Sequence, residues 1–129
     1  MTVSIGEVLH KIGRPLVQAP HHSSLQSLSQ LLSYAGLDAI LLIDREKRAV
    51  GVATAKTIVH HLARSARAGA SSAFVLSFAE EIECCSALDG LTEVAARMLQ
   101  AGVSVLLVEE NGELSATVTF DRLCEAALG

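Results

Sequence analysis

Ala39-Ile40-Leu41-Leu42-Ile43-Asp44 is followed by Arg45-Glu46-Lys47-Arg48 and then Ala49-Val50-Gly51-Val52-Ala53-Thr54. The first apolar run is short enough for a buried strand, the charged tetrapeptide makes a turn, and the second run returns as a hairpin partner. From Thr54 the spacing turns helical, with Ile58, Val59, Leu62 and Ala63 expected to face inward. The same order reappears from Ser104 to Ala127. Val105-Leu106-Leu107-Val108-Glu109 precedes Asn111-Gly112, a strong hairpin-turn signal, and then Leu114 to Val118 and Thr119. The two stretches align without a gap, Leu41 with Leu106 and Thr54 with Thr119, at a constant offset of 65. An internal repeat of this kind decides the architecture before any single residue does.

Working outward, the repeat extends upstream of both hairpins. Ser23 with Gln26 fits a capping box, Leu25, Leu28, Leu32 and Ala35 form a buried face, and Gly36 ends the helix. Asp89 takes the capping place in the echo, ahead of Leu91, Val94, Ala95 and Met98, with Gly102 as the stop. These helices sit 66 apart, so one residue is lost in the short loop before the second hairpin. Leu16 to Ala19 is an extended piece closed by Pro20, and Ile82 to Cys85 is its copy. Ile5, Val8, Leu9 and Ile12 mark one face of a short N-terminal helix, stopped by Gly13. Ser65 to Ser72 reads as a linker. Phe74 to Phe78 is apolar, and Ala79 to Glu81 reads as a helical turn. Each repeat is therefore strand, helix, strand, strand, helix, an α+β (mixed α/β) arrangement. The first spans 1–68 with the N-terminal helix and the second spans 69–129. Neither copy of about 60 residues buries its apolar face well alone, so the two are expected to pack sheet to sheet.

Bulk properties exclude several functions. Half of the 129 residues are hydrophobic and 19% are charged, which argues against disorder. A formal net charge of −4 gives no basic footprint for nucleic acid, and Tyr34, Phe74, Phe78 and Phe120 form no stacking platform. No stretch is long and apolar enough for a membrane span, and the N-terminus does not read as a signal peptide. Cys84, Cys85 and Cys124 read as reduced thiols in a cytoplasmic protein, with Cys84 a structural thiol. The pairs His21-His22 and His60-His61 lack spaced partners for a metal and read as surface or loop residues. No catalytic triad order, phosphate loop or paired-carboxylate motif occurs, so no enzyme and no catalytic residue is expected.

The element order and both hairpins resemble the tandem cystathionine-β-synthase (CBS) domain pair, the Bateman module. The residues that carry the resemblance are Leu41-Leu42-Ile43-Asp44 and Leu106-Leu107-Val108-Glu109, with Gly51-Val52-Ala53-Thr54 and Ala116-Thr117-Val118-Thr119. It covers roughly Ile5 to Leu128. The resemblance implies two β-α-β-β-α CBS repeats. It also implies an adenosine-containing regulatory ligand (AMP, ADP, ATP or S-adenosylmethionine) in a cleft between repeats, a homodimer, and an unknown regulated protein partner. The ligand-binding set it implies comprises Val17, Ala39, Gly51, Thr54, Lys56, Thr57, Thr119 and Arg122.

In that family a threonine or serine opens the helix after the hairpin. An aspartate three positions on accepts hydrogen bonds from ribose hydroxyls. The hydroxyl lies where a helix N-terminus and its dipole favour phosphate. Thr54 and Thr119 keep that position, although N-capping alone also accounts for them. Thr57 and Arg122 stand where the aspartate would be. Lys56, His60 and Arg64 are spaced four apart and could hold a polyphosphate, or form a solvated basic face. Asp121 replaces Lys56 in the second copy, so the first copy is the expected binding site. The alternative is a structural or dimerisation module with degenerate, empty sites.

Overall fold

The computed structural model describes residues 3–68 and 81–128. In chain order these form α1 (Ile5–Ile12), β1 (Gly13–Pro15), β2 (Val17–Pro20), α2 (Leu25–Ala35), β3 (Ala39–Ile43), β4 (Ala49–Thr54) and α3 (Ala55–Ala68). They continue with β5 (Cys84–Ser86), α4 (Leu91–Ala101), β6 (Val105–Glu110), β7 (Glu113–Thr119) and α5 (Phe120–Leu128). The chain divides into two compact units, Val17–Ile82 and Met1–Leu16 with Glu83–Gly129. The mixed α+β class and the repeated β-α-β-β-α order are those expected.

In the unit Val17–Ile82 the sheet order is β2-β3-β4, parallel between β2 and β3 and antiparallel across the hairpin. Strand alternation gives Ile40, Leu42 and Ala53 to one face, where they meet Leu28 of α2 and Ile58 of α3 in a buried apolar cluster. Burying each of these larger side chains stabilises the unit by about 1.5–3 kcal/mol. The turn is tied by Asp44, whose Oδ1 accepts from the backbone N–H groups of Glu46 and Arg48, each at 2.9 Å. Lys47 sits in the left-handed region at φ 63°. These bonds and the Arg48 guanidinium hold the Asp44 carboxyl below its usual range.

The other unit has the sheet order β1-β7-β6-β5. Asn111 and Gly112 both have positive φ, 53° and 83°, as the two-residue turn between β6 and β7 requires. Val94 and Met98 of α4, Leu106, Val108 and Val118 of the sheet, and Leu123 of α5 form the core. The N-terminal segment, first in sequence order, completes this unit. Ile5 and Ile12 of α1 are buried in the same cluster, and β1 pairs antiparallel with β7, Arg14 opposite Thr117.

Several local expectations shift. Ser24 caps α2 by accepting from Ser27 N–H at 3.1 Å, one residue after Ser23. Gly90 is the N-cap of α4, because the Asp89 carboxylate turns back to accept from Ser86 N–H. Val59 and Ala63 are exposed, since each lies a step around α3 from the buried Ile58 and His61, and Ala35 is exposed as the last residue of α2. The α3 helix runs through Ser65 to Ala68, so the linker's first half is helical. Its remainder, Phe74 to Phe78, and Ala79–Glu80 lie outside the described residues.

Candidate functional site

The end of the β2-β3-β4 sheet gathers most of the first-copy candidates. Val17 opens β2 and pairs with Ile40, while Ala39 opens β3 and lies directly opposite Thr54, the last residue of β4. Thr54 passes straight into α3, which puts Lys56 in the helix's first turn with its side chain exposed. Gly51 is buried farther along β4, opposite Leu42, and does not join this end.

Thr54 and Thr57 are both buried and reciprocally bonded. Thr54 N–H donates to Thr57 Oγ1 at 2.7 Å, and Thr57 N–H donates to Thr54 Oγ1 at 3.2 Å. The Thr57 hydroxyl donates its own proton to the Thr54 carbonyl at 2.8 Å. This is a capping box with threonine in the acceptor place usually held by Glu or Gln. A hydroxyl has one proton, so Thr57 has none left to offer a ligand and retains only acceptor capacity. The Thr-x-x-Thr spacing was the available sequence signal for this arrangement.

At the corresponding place in the other unit, Thr119 ends β7 opposite Val105, and α5 begins at Phe120. Here Arg122 N–H donates to Thr119 Oγ1 at 3.4 Å, a longer and weaker cap. Asp121 lies exposed in the first turn and already complements the positive helix end, whereas α3 has no acidic residue there. The first turn of α3 is therefore the more anion-compatible of the two. Lys56 and His60 are exposed on α3, one turn apart. The Arg64 side chain lies outside the described residues.

The remaining candidates are structural. Cys85 packs in the core and Cys84 is half-buried on the other face of β5. Burial, reinforced by the Asp89 charge, pushes the Cys85 thiol up to about 11. Burial, followed by the charges of Glu83 and Glu109, also raises Cys84. Both thiols are therefore protonated near neutral pH and poorly nucleophilic. His61 is buried and not a surface residue, because α3 turns it toward the packed side, while His60 is exposed. Among the described residues no three His, Cys, Asp or Glu side chains come together as a metal site. Sequence spacing missed Arg97, which donates to the Cys84 carbonyl at 2.7 Å and to Asp89 Oδ2 at 3.2 Å, joining α4 to β5.

No family model matches this sequence, and no curated protein matches it. Solved structures do. A CBS-domain-containing protein from Agrobacterium tumefaciens superposes with a TM-score of 0.76 at 19% identity, covering 98% of this chain and 95% of that one. A CBS domain protein from Pyrobaculum aerophilum complexed with AMP gives 0.71 at 19%, covering 98% and 100%. A CBS domain pair in complex with 5′-methylthioadenosine and S-adenosyl-L-methionine gives 0.75 at 14%, covering 100% and 98%. The chain has the fold of a tandem CBS-domain pair. No helix among the described residues is long and apolar enough to cross a membrane.

Proposed function

We propose that this chain is a non-catalytic CBS-pair regulatory module that binds an adenosine-containing ligand and pairs with itself to signal to a partner protein. The carrying observation is its end-to-end likeness to CBS pairs, of which one holds AMP and another holds 5′-methylthioadenosine and S-adenosylmethionine. Within this chain the first turn of α3 supplies the anion-compatible feature. It combines a positive helix end, the exposed Lys56 ammonium, and a first turn without an acidic residue. The ligand's phosphate or carboxylate would lie there, with Val17 and Ala39 along the strand ends.

One observation favours a second reading, in which the sites are empty and the module acts by association alone. Thr57 stands at the ribose-anchoring position and spends its proton on the Thr54 carbonyl.

Thermal shift and titration calorimetry against AMP, ADP, ATP, 5′-methylthioadenosine and S-adenosylmethionine separate the two. A micromolar ligand at millimolar concentration stabilises by about 4 kcal/mol, from RT ln(1 + [L]/Kd). Lys56→Glu should weaken binding about tenfold or more by reversing the charge beside the anion, while Thr119→Ala should leave it within about twofold. No shift with any of the five compounds overturns the ligand reading and leaves the association reading.

A further inference from the structure

Arg14 and Thr117 stand directly opposite each other where β1 pairs with β7. Opposed residues of an antiparallel pair project from the same face, with Cβ atoms about 4.5–5.5 Å apart. Ala116 and Val118 turn into the core with Leu106 and Val108, so alternation sends Thr117 to the other face of the sheet. Leu107 and Cys84 continue the row across β6 and β5.

The two polar residues at the head of this row are poorly matched within the protein. Thr117 is 0% exposed, and its Oγ1 has no hydrogen-bond partner among the described residues. Arg14 is half-buried, and among the described residues its guanidinium makes one bond, from Nη1 to the Gly13 carbonyl at a long 3.3 Å. No carboxylate among them pairs with it, although charges withdrawn from water ordinarily are paired. The repeat shows that the fold does not require a hydroxyl here. The offset of 65 puts Val52, also buried, where Thr117 stands. Valine fills the same space, so the Thr117 hydroxyl adds a desolvation cost and no packing.

We propose that Arg14 and Thr117 together hold an oxyanion, a phosphate or carboxylate group. The planar guanidinium fork matches two oxygens of such a group, and the Thr117 hydroxyl donates its proton to one of them. Water would satisfy Thr117 and leave the Arg14 charge uncompensated, whereas an anion answers both. The outermost strand of this sheet is β1, so the group enters from the Arg14 side and replaces the long bond to the Gly13 carbonyl. The site belongs to the unit of α4 and α5. It stands whether or not a nucleotide binds at Thr54 and Lys56.

Thermal unfolding of the full chain in sodium phosphate and in sodium acetate, each against sodium chloride at equal ionic strength, tests this. At least one oxyanion should give a saturable rise in the unfolding temperature, and a rise in one alone assigns phosphate or carboxylate. The half-saturating concentration should increase about tenfold or more in Arg14→Gln and in Thr117→Val, since each loses a charge-assisted hydrogen bond. The general salting effect of phosphate is common to all variants, so the difference between them is the reading. Thr117→Val should fold at least as well as the unmodified chain, as Val52 does at the matching place, so its lost response is not a loss of structure. Lys11→Gln, which removes an exposed charge from α1, should stay within about twofold of the unmodified protein. No saturable rise with either salt overturns the site, and so does a rise that Arg14→Gln or Thr117→Val retains at the same concentration.

Discussion

Thr57 and Thr117 are both buried threonines, and what separates them is where the hydroxyl goes. Thr57 Oγ1 makes two bonds within the cap of α3. Thr57→Val keeps the shape and removes both, leaving the Thr54 N–H without its acceptor. It should cost about 1–2 kcal/mol in urea unfolding. Thr117 Oγ1 is fully buried with no hydrogen-bond partner among the described residues. A buried hydroxyl without a protein partner is destabilising, so Thr117→Val should raise stability by about 1 kcal/mol in the same assay. Cys85 makes a third residue-level case. Its folded-state thiol is pushed up to about 11, above the ordinary 9.0. The unfolded chain therefore ionises first, and the protein loses stability as pH rises from about 9 through 11. Below that window the group contributes no slope. Cys85→Ala should flatten this alkaline decline, measured as the urea midpoint between pH 8 and 11, although its core cavity lowers stability at every pH.

At the scale of elements, the Arg97 clasp holds α4 to the strand β5, which is only three residues long. The guanidinium reaches the Cys84 carbonyl and the Asp89 carboxylate, and that carboxylate also accepts from Ser86 N–H. Arg97→Leu should cost about 1–2 kcal/mol, as partly exposed charge-assisted bonds do. Asp89→Ala should cost a similar amount, and the double variant less than the sum, because the two share one network. No spacing rule announces such a clasp, since it depends on a side chain reaching across eight residues to a loop. The hairpins were legible because alternation and turn chemistry are local. Asn111-Gly112 demanded positive φ, and Asp44 offered an acceptor to its own turn. The cap of α2 slipped by one residue because Ser23 and Ser24 are chemically identical, and that of α4 because the Asp89 carboxylate accepts from Ser86 N–H instead. That Thr54 ends a strand and Lys56 lies in the first turn of the helix after it was legible from the change of spacing at Thr54. The part that was not legible is that Thr57 turns inward, since a threonine at that spacing serves a ligand or a cap equally well. His61 was misjudged for a similar reason. A helix's buried stripe is fixed by what packs on it, and the apolar residues Val59 and Ala63 ended outside it.

At the scale of the whole molecule, the least local feature is the N-terminal segment. It lies about a hundred residues from its partners, so no pattern within it identifies them. The α1 helix buries Ile5 fully and Ile12 nearly so against α4, α5 and the sheet. Its start is fastened by the Ile5 N–H to the Asp89 carbonyl at 2.9 Å, Gly6 N–H to the Ala87 carbonyl at 2.8 Å, and Leu91 N–H to the Val3 carbonyl at 2.9 Å. The β1 strand then covers the edge of β7 from Ala116 to Val118. Removing residues 1–16 would take two isoleucines from one core, each worth about 2–5 kcal/mol on truncation to alanine, and expose a hydrogen-bonding edge. Domain stabilities are about 5–15 kcal/mol, so that loss is comparable to the whole. The truncated chain should therefore lose amide-exchange protection throughout β6 and β7 and not only at β1. The milder Ile12→Ala should lower the unfolding free energy by about 2–5 kcal/mol, where Leu31→Ala, at an exposed position, costs about 0.5 kcal/mol or less. Native-like protection of Val118 and Leu106 in the truncated chain would mean that β1 and α1 decorate this unit without completing its core.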